Sequence, residues 1–453
     1  MKPIYVLAPL APFVLAPFVL ALPLVCQGQA APASGPVPEP AMSSPEDAAA
    51  AFLSADEAVN EALQANPEIR VAVRRLSLAQ LKTTTARSLD DPMLMVRDWD
   101  TPLKKPWDLN QAQLRFMLQQ SFQSKQKRNL RASLAVDDAE VAASDLESVR
   151  QQVAAQVRKA CADLMRNADE MRLHDSQVSL LKEAVDAALA EYTTGKVPQA
   201  EVLRAQMALT RMNEHLVELE EERDTARAQL NALRGRSLDE AVEISGSYAS
   251  PAAIPSIDEL ERLAIEHRPE LAALRKQIAK SRDQGQLTRL AMKPDFTVGL
   301  GYMLMPSGST FRNAYMAEFA MNLPTLNRDR HEGEAKQADA ETDVSQGELE
   351  ARSEIVFLEI REAQISVLAA QKRVKLYRDT LLPQAEAAFK ASAAAYQNNR
   401  GEFANLIDSQ NLLLDIQAAC FKASAASDAG IAELERAIGA AIDVARSKEM
   451  TSK

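Results

Sequence analysis

The stretch that most constrains the fold is Gln123–Thr194. Its 72 residues contain no glycine and no proline, and strong helix formers such as Ala, Leu, Glu, Gln and Arg dominate it. At 1.5 Å per residue, one continuous helix of this length would extend about 100 Å. We therefore expect a rod that packs along its side against other rods, or one that bridges a gap between two compartments.

Composition supports helical bundles and argues against several classes of function. Aromatic residues make up 5% and charged residues 25% of the chain, which is typical of coiled and bundled helices. The net charge is −11 with both signs interspersed, which argues against nucleic acid as a partner. The sequence contains no Gly-x-Ser-x-Gly, His-Glu-x-x-His or phosphate-binding loop, so we predict that the protein is not an enzyme and has no cofactor.

The cysteines, histidines and methionines predict no metal site. Cys161 and Cys420 lie in alanine-rich helical segments, where a free cysteine usually acts as a small apolar filler. The four histidines are scattered and have no partner at ligand spacing, so we expect them on solvated helix surfaces. They are His174, His215, His267 and His331. Methionines in predicted strands, such as Met93 and Met117, suit Cu(I), but we interpret them as adaptable apolar residues.

Residues 1–30 are predicted to be a signal peptide. A lysine near the N-terminus precedes an apolar segment, Val6–Val25, whose four prolines would damage a permanent membrane helix. Cleavage after Ala30 is one possibility, and lipidation at Cys26 is the other. Lipoprotein signals have a small residue directly before the cysteine, and the valine found here is a poor match, which favours cleavage. Residues 31–52, rich in Pro, Ala and Ser, are expected to form an extended tether.

The rest of the chain contains an internal duplication. Two segments recur, the first after 202 residues and the second after 204 residues. The pairs are Asn66-Pro-Glu-Ile with Arg268-Pro-Glu-Leu, and Glu191-Tyr192 with Ala395-Tyr396. The sequence therefore predicts two homologous repeats, 53–236 and 256–440, joined by a linker, 237–255, and followed by a charged tail, 441–453.

Each repeat is expected to contain a helix, a β-hairpin, a very long helix, a tight turn and a returning helix. In the first repeat, Ser54 or Asp56 caps a helix that runs to about Ser88. In the second repeat the long helix is Thr325–Asn398, and Pro383 predicts a kink within it.

The hairpin strands show alternation with a period of two. Gln113, Arg115, Met117 and Gln119 share one face with Leu109 and Gln111, whereas Ala112, Leu114, Phe116 and Leu118 share the other. An ordinary hairpin and a transmembrane barrel are both compatible with this pattern, and the export signal and the absence of other predicted strands favour the barrel. Four strands cannot close a barrel and open edges are forbidden in lipid, so several copies must share one. Two copies would give eight strands and three would give twelve.

Ordered segments in both repeats carry a family resemblance. They are Leu53-Ser-Ala-Asp-Glu-Ala, Asn66-Pro-Glu-Ile, Asp91-Pro-Met-Leu, Glu191-Tyr-Thr-Thr-Gly, Glu201-Val-Leu-Arg-Ala-Gln206, Leu382-Pro-Gln-Ala-Glu386 and Phe403-Ala-Asn-Leu-Ile-Asp-Ser-Gln410. In this order, over Leu53–Ala440, the chain resembles TolC-type outer-membrane efflux proteins. The resemblance implies a mainly α fold with a small β part. Each subunit of a homotrimer would give four strands to a twelve-stranded transmembrane β-barrel, and the long helices would form an α-barrel across the periplasm.

The resemblance also implies a function and partners. It predicts an outer-membrane exit duct that works with a periplasmic adaptor and an inner-membrane pump. The first-repeat segments look closest to heavy-metal efflux members, which work with resistance-nodulation-division pumps. The alternatives are a duct for drugs or polypeptides and, outside the family, a pore-less periplasmic coiled-coil scaffold.

Two helix turns are the candidate functional sites. Gly195 and Gly401 can adopt the positive φ that a helix reversal requires, and Pro198 suits the first turn of the next helix. One interpretation is a hairpin tip and nothing more. The resemblance implies instead the periplasmic end of the channel, where the adaptor docks. The docking residues would be Gly195, Lys196, Val197, Asn399, Arg400 and Gly401.

The resemblance also places the channel entrance near these turns, with Tyr396 beside it. Some family members carry two acidic residues three positions apart at the entrance, where this chain has Asn405 and Asp408. The equivalent first-repeat residue is Arg204, of opposite charge. We therefore expect a less acidic entrance, and we hypothesise that an ion pair between Asp408 and Arg204 acts as a closing latch.

Overall fold

The structure, a computed structural model, describes residues 51–99, 113–248, 253–305, 313–398 and 400–442. The predicted signal peptide with Cys26, most of the tether, Asn399 and most of the C-terminal tail lie outside these residues. So do the strand residues Leu109, Gln111 and Ala112.

The two repeats share an order of two helices, a β-hairpin, a long helix and a returning helix, but the first also contains two short strands and the long helix of the second is divided. The first contains β1 (Ala51–Leu53), α1 (Ala55–Ala65), α2 (Pro67–Ala86), β2 (Met93–Trp99), β3 (Gln113–Phe122), α3 (Lys125–Thr193), α4 (Gln199–Arg234) and β4 (Val242–Ile244). The second contains α5 (Ile257–His267), α6 (Pro269–Leu290), β5 (Phe296–Leu304), β6 (Asn313–Met321), α7 (Arg328–Leu376), α8 (Leu382–Gln397) and α9 (Phe403–Ile438). A 3₁₀ turn at Pro324–Asn327 precedes α7, and a π turn at Tyr377–Leu381 joins α7 to α8.

The predicted rod is confirmed as α3, which has 69 residues. Its first turn is capped by Ser124, whose hydroxyl accepts a hydrogen bond from the Lys127 amide at 3.3 Å. The helix packs along its length against α2, α4, α6 and α9. Cys161 on this helix is buried and free, as expected for an apolar filler, and burial raises the pKa of its thiol to about 12.

The first helix of the first repeat ends earlier than the sequence analysis predicted. Ser54 caps α1 through a capping box with Glu57, but α1 stops at Ala65 and a second helix starts at Pro67. Asn66 between them has φ −58° and ψ 130°, because a residue before proline is pushed out of the helical region. The expectation of one helix to Ser88 is therefore wrong.

The two hairpins form one antiparallel sheet with the order β2-β3-β5-β6. Pairing of β3 with β5 joins the repeats, with Phe116 opposite Tyr302 and Leu118 opposite Leu300. The predicted alternation is confirmed where the structure describes it. One face carries exposed apolar side chains, namely Leu94, Val96, Phe116, Leu118, Val298, Leu300, Tyr315 and Phe319. The opposite face carries Gln, Arg, Met, Thr, Ala and Glu side chains together with two glycines.

A second, two-stranded sheet was not predicted. β1 pairs in parallel with β4, within segments that the sequence analysis assigned to the tether and the linker. The expectation of no strands beyond the hairpins is therefore wrong, since three-residue strands are too short to show a periodic pattern. Val242 of β4 is buried in the core that α1, α2, α3 and α4 share. Among the described residues, no helix has both the length and the apolar content needed to cross a membrane.

Candidate functional site

The turn between α3 and α4 is closed by Gly195. This residue has φ +70°, and the Gly195 and Lys196 amides donate to the carbonyls of Tyr192 and Glu191 at 2.9 and 3.0 Å. This pair of bonds is a Schellman motif, which satisfies the last carbonyls of α3. A Cβ on Gly195 would meet open space, so the glycine is required by its positive φ alone. Pro198 occupies the N-cap position of α4 and not its first turn.

The turn between α8 and α9 works differently. Gly401 is not among the glycines with positive φ, which corrects the sequence-based expectation. A Cβ at this position would lie 3.0 Å from the Ala395 Cβ, and the amides of Arg400 and Gly401 both donate to the Ala395 carbonyl. The glycine is therefore needed for close approach of the chain to the end of α8.

Aromatic and acidic side chains connect the two turns. The rings of Tyr396 and Phe403 pack against each other across the second turn, with an interplanar angle of 58° and centroids 5.6 Å apart. Burial, together with the charges of Glu191 and Glu201 from the first turn, raises the pKa of the Tyr396 hydroxyl. The two predicted docking turns therefore lie side by side.

Above the turns, α3, α4 and α9 enclose an open cavity of about 780 Å³. Arg204 and Asp408 both line it, as the hypothesis of an entrance latch requires, whereas Asn405 is exposed outside its lining. Within the described part of one chain, no salt bridge joins Arg204 to Asp408. The structure thus brings the two residues to one cavity, and their pairing stays a hypothesis.

Of the two histidines in the cavity, His174 departs from the expected solvated position, whereas His215 is exposed as expected. His174 on α3 is half-buried, and its ring centroid lies 5.8 Å from that of His215 on α4. The His174 Nδ1 contacts the Met212 Sδ at 2.7 Å, and Met212 is 6% exposed. Burial and then the neighbouring His215 lower the pKa of the His174 imidazole.

Sequence reasoning missed this pair, although a signal for it exists. His174 precedes Gly195 by 21 residues and His215 follows it by 20 residues. Because α3 and α4 run antiparallel from that turn, residues at equal distance from it must lie opposite each other. Among the described residues, no group of three or more His, Cys, Asp or Glu side chains has the arrangement of a metal site.

A family model for outer membrane efflux proteins matches residues 58–236 and 260–440, which together are most of the chain. The chain is an outer membrane efflux protein. Members of this family are channels and not enzymes, so the prediction of no enzymatic activity is confirmed. The same assignment rejects the pore-less scaffold.

One relative by sequence and a set of solved structures resemble this outer membrane efflux protein. The cobalt-zinc-cadmium resistance protein CzcC of Cupriavidus metallidurans is 23% identical over 81% of this chain and 85% of its own length. Among solved structures, the Vibrio cholerae outer membrane protein VceC is 19% identical with a TM-score of 0.70, covering 86% of this chain and 96% of that one. The Campylobacter jejuni outer membrane channel CmeC is 13% identical with a TM-score of 0.72 and covers 88% of both chains. The predicted fold class is confirmed.

Proposed function

We propose that this outer membrane efflux protein is the exit duct for heavy-metal cations. The observation that carries the proposal is the similarity to CzcC, whose name specifies cobalt, zinc and cadmium resistance, over most of both chains. The cavity above the turns supports it. Five carboxylate side chains and only two arginines line the cavity, and an excess of negative charge attracts cations.

The proposed assembly is a homotrimer in the outer membrane. The sheet of one chain leaves β2 and β6 with a single neighbour each, and it presents an exposed apolar face on which Leu300 is 67% and Tyr315 is 91% exposed. In lipid, every backbone polar group needs a partner, so the free sides of these strands would pair with neighbouring subunits. Three chains would supply twelve strands, the arrangement that the family resemblance implies.

The proposed partners are a periplasmic adaptor and an inner-membrane pump of the resistance-nodulation-division type. Channels of this family work with adaptor proteins and inner-membrane pumps, which supports the general kind of partner. The two adjacent turns, with Gly195, Lys196 and Val197 on one and Arg400 and Gly401 on the other, would form the adaptor-docking end. Asn399 completes the proposed set.

The substrate is tested in cells that carry the matching pump and adaptor. Deleting this chain should increase sensitivity to metal cations while leaving drug sensitivity unchanged, and the wild-type chain should restore resistance. Growth measured in the presence of Co²⁺, Zn²⁺, Cd²⁺, Ag⁺ and a panel of drugs reports both the metal sensitivity and the drug sensitivity. A change in drug sensitivity alone would overturn the metal proposal in favour of a drug duct.

The latch is tested at the entrance. Asp408→Ala should raise the single-channel conductance in planar bilayers, because it removes the carboxylate that would pair with Arg204 of a neighbouring helix. Asn405→Ala, on the same helix and without charge, is the matched control. An unchanged conductance in Asp408→Ala rejects the latch.

A further inference from the structure

We propose that His174, Met212 and His215 bind a soft monovalent cation, Cu(I) or its analogue Ag(I), in the wall of the α3–α4–α9 cavity. The proposal rests on the proposed function where it treats the cation as cargo, and it adds a soft monovalent class to the cobalt, zinc and cadmium for which CzcC is named. Met212 and His215 lie three residues apart on α4 and so project from one face of the helix. His174 projects from the opposite helix α3.

The distances suit a shared cation. Two imidazoles bound to one ion through nitrogens at about 2.0–2.1 Å place their ring centroids about 5–6 Å apart, and the observed separation is 5.8 Å. The His174 Nδ1 and Met212 Sδ are in direct contact at 2.7 Å. Bonds of about 2.0 Å to nitrogen and 2.3 Å to sulfur require a nitrogen–sulfur separation of about 3.5 Å. Entry of an ion would therefore widen this contact by less than 1 Å, within the freedom of a methionine side chain.

A carboxylate supports one of the ligands. The His215 Nδ1 lies 3.1 Å from the Glu218 Oε2, which orients the ring and leaves Nε2 for a cation. Histidine ligands of metals commonly donate their second ring N–H to a carboxylate in this way. Asp415 and Asp408 line the same cavity and add negative charge to it.

The donor set selects the class of cation. A thioether sulfur is a soft, neutral ligand that favours Cu(I) over hard cations, and imidazole nitrogen is compatible with the same ion. One thioether and two neutral imidazoles carry no charge of their own, and the Glu218 carboxylate is already paired with His215. Such a set suits a monovalent cation better than Zn²⁺, which prefers four ligands, commonly including thiolates or carboxylates.

The position of the site fits a passing cargo. His174 lies 21 residues before Gly195, which corresponds to about 30 Å along α3 from the turn. His215 is exposed to the open cavity, so an ion can enter and leave. A channel that conducts its substrate needs binding of this reversible kind.

The test measures Ag(I) binding to the purified full-length protein by equilibrium dialysis with elemental analysis. All samples carry Cys420→Ser, because the half-buried thiol on α9 would compete for Ag(I). The His174→Gln, Met212→Leu double variant should lose one bound Ag(I) per chain. Met207→Leu is the matched control, since Met207 lines the same cavity from the same helix, and it should retain that ion.

Glu218→Gln gives a second measurement that does not disturb packing, because Glu218 is exposed. It should weaken Ag(I) binding about 10- to 100-fold, as expected when the carboxylate partner of a ligating histidine is removed. X-ray absorption should show sulfur bound to silver in Met207→Leu and not in Met212→Leu.

Two results would overturn the proposal. One is the same Ag(I) stoichiometry and affinity in the double variant as in its parent. The other is tighter binding of Zn²⁺ than of Ag(I) at this site. Cell growth distinguishes failure of this site from failure of the proposed exit duct. A chain that confers metal resistance but binds no Ag(I) here would reject the site and leave the proposed duct function unaffected.

Discussion

The two repeats close the same helix junction with different side chains. In the first repeat the Asn66 Nδ2 donates to the Leu233 carbonyl at 2.9 Å, and in the second the Arg268 Nη1 donates to the Ala437 carbonyl at 2.6 Å. Each donor precedes a proline between two short helices, and each acceptor lies near the end of a returning helix. What the duplication keeps is therefore a donor at this point in space, and not a residue type.

The glycines beside these acceptors are more alike between the two repeats than the donors are. Gly235 has φ +65° and a Cβ there would lie 2.8 Å from the Ala65 carbonyl oxygen. Gly439 has φ +75° and a Cβ there would lie 2.8 Å from the His267 carbonyl oxygen. Both positions have a left-handed backbone and also lie too close to a carbonyl oxygen for a Cβ atom. Only glycine satisfies both requirements.

The long helices are where the repeats differ. α3 is continuous, whereas its counterpart is divided into α7, a π turn at Tyr377–Leu381, and α8. The offset between the repeats is 202 residues at Asn66 and 204 at Tyr192. A π turn encloses one residue more than an α turn, so it absorbs one of the two extra residues without breaking the rod. Pro383 follows directly, where its missing N–H does least harm.

The largest expected loss of stability is at the junction donor Arg268, and it should exceed the loss at the other donor, Asn66. Arg268 is 1% exposed and pairs with the half-buried Glu270 and Glu359, so Arg268→Ala removes two ion pairs together with the buried hydrogen bond to the Ala437 carbonyl and should cost about 3–5 kcal/mol. Asn66→Ala removes a cap and one hydrogen bond and should cost about 1–2 kcal/mol. Thermal unfolding followed by circular dichroism measures both. The exposed Arg262→Ala is the control, and equal losses in the first two variants would mean that the junctions are energetically alike.

A transplanted proline should break the continuous helix. Ser179 on α3 corresponds to Pro383 at the offset of 204 residues, and it is exposed within an unbroken helix. Ser179→Pro removes one helical hydrogen bond and should cost about 3 kcal/mol. Pro383→Ala should change stability by less than about 1 kcal/mol, since the π turn already accommodates the proline. A lowered Tm in Ser179→Pro but not in Ser179→Ala is the expected result, and a neutral Ser179→Pro would contradict a rigid α3.

Glycine substitutions test whether crowding around the Cβ position adds to the cost of a positive φ. Gly439→Ala and Gly235→Ala should each cost about 3 kcal/mol, because a left-handed alanine is strained and its Cβ also meets a carbonyl oxygen. Gly195→Ala shares the positive φ but meets open space, and should cost only about 1 kcal/mol. The three Tm values should therefore fall into two groups. A Gly195→Ala variant as unstable as the others would show that crowding contributes nothing.

The sequence predicts the parts of this fold that depend on local pattern. α3 follows from 72 residues without a helix breaker, and the faces of β3 and β5 follow from alternation. The break at Asn66 also follows from local pattern, because a residue before proline disfavours the helical backbone. The roles of Gly401 and of the His174–His215 pair could not be obtained from local pattern. One depends on contact with Ala395, and the other on the antiparallel register of two helices.

The smallest expected effect is a pH-dependent change in stability that arises from Glu270. Burial raises the pKa of the Glu270 carboxyl, but hydrogen bonds and charge from Arg268, with further contributions from Arg352 and Ser148, outweigh burial and hold the pKa below its ordinary value of 4.5. A carboxyl with a lowered pKa stabilises the folded protein above its unfolded pKa, and this stabilisation is lost as the pH falls through the folded value.

The Tm of the wild type should therefore exceed that of Glu270→Gln at pH 7, and the difference should shrink below about pH 4.5. Ser148 belongs to α3 and donates to Glu270 of α6 at 3.2 Å, so this acid-sensitive contact also ties the first repeat to the second. Ser148→Ala should reduce the same difference only slightly, because Arg268 remains in place. A Tm difference that does not change between pH 7 and pH 3 would show that the charge of Glu270 contributes nothing to the junction of the second repeat.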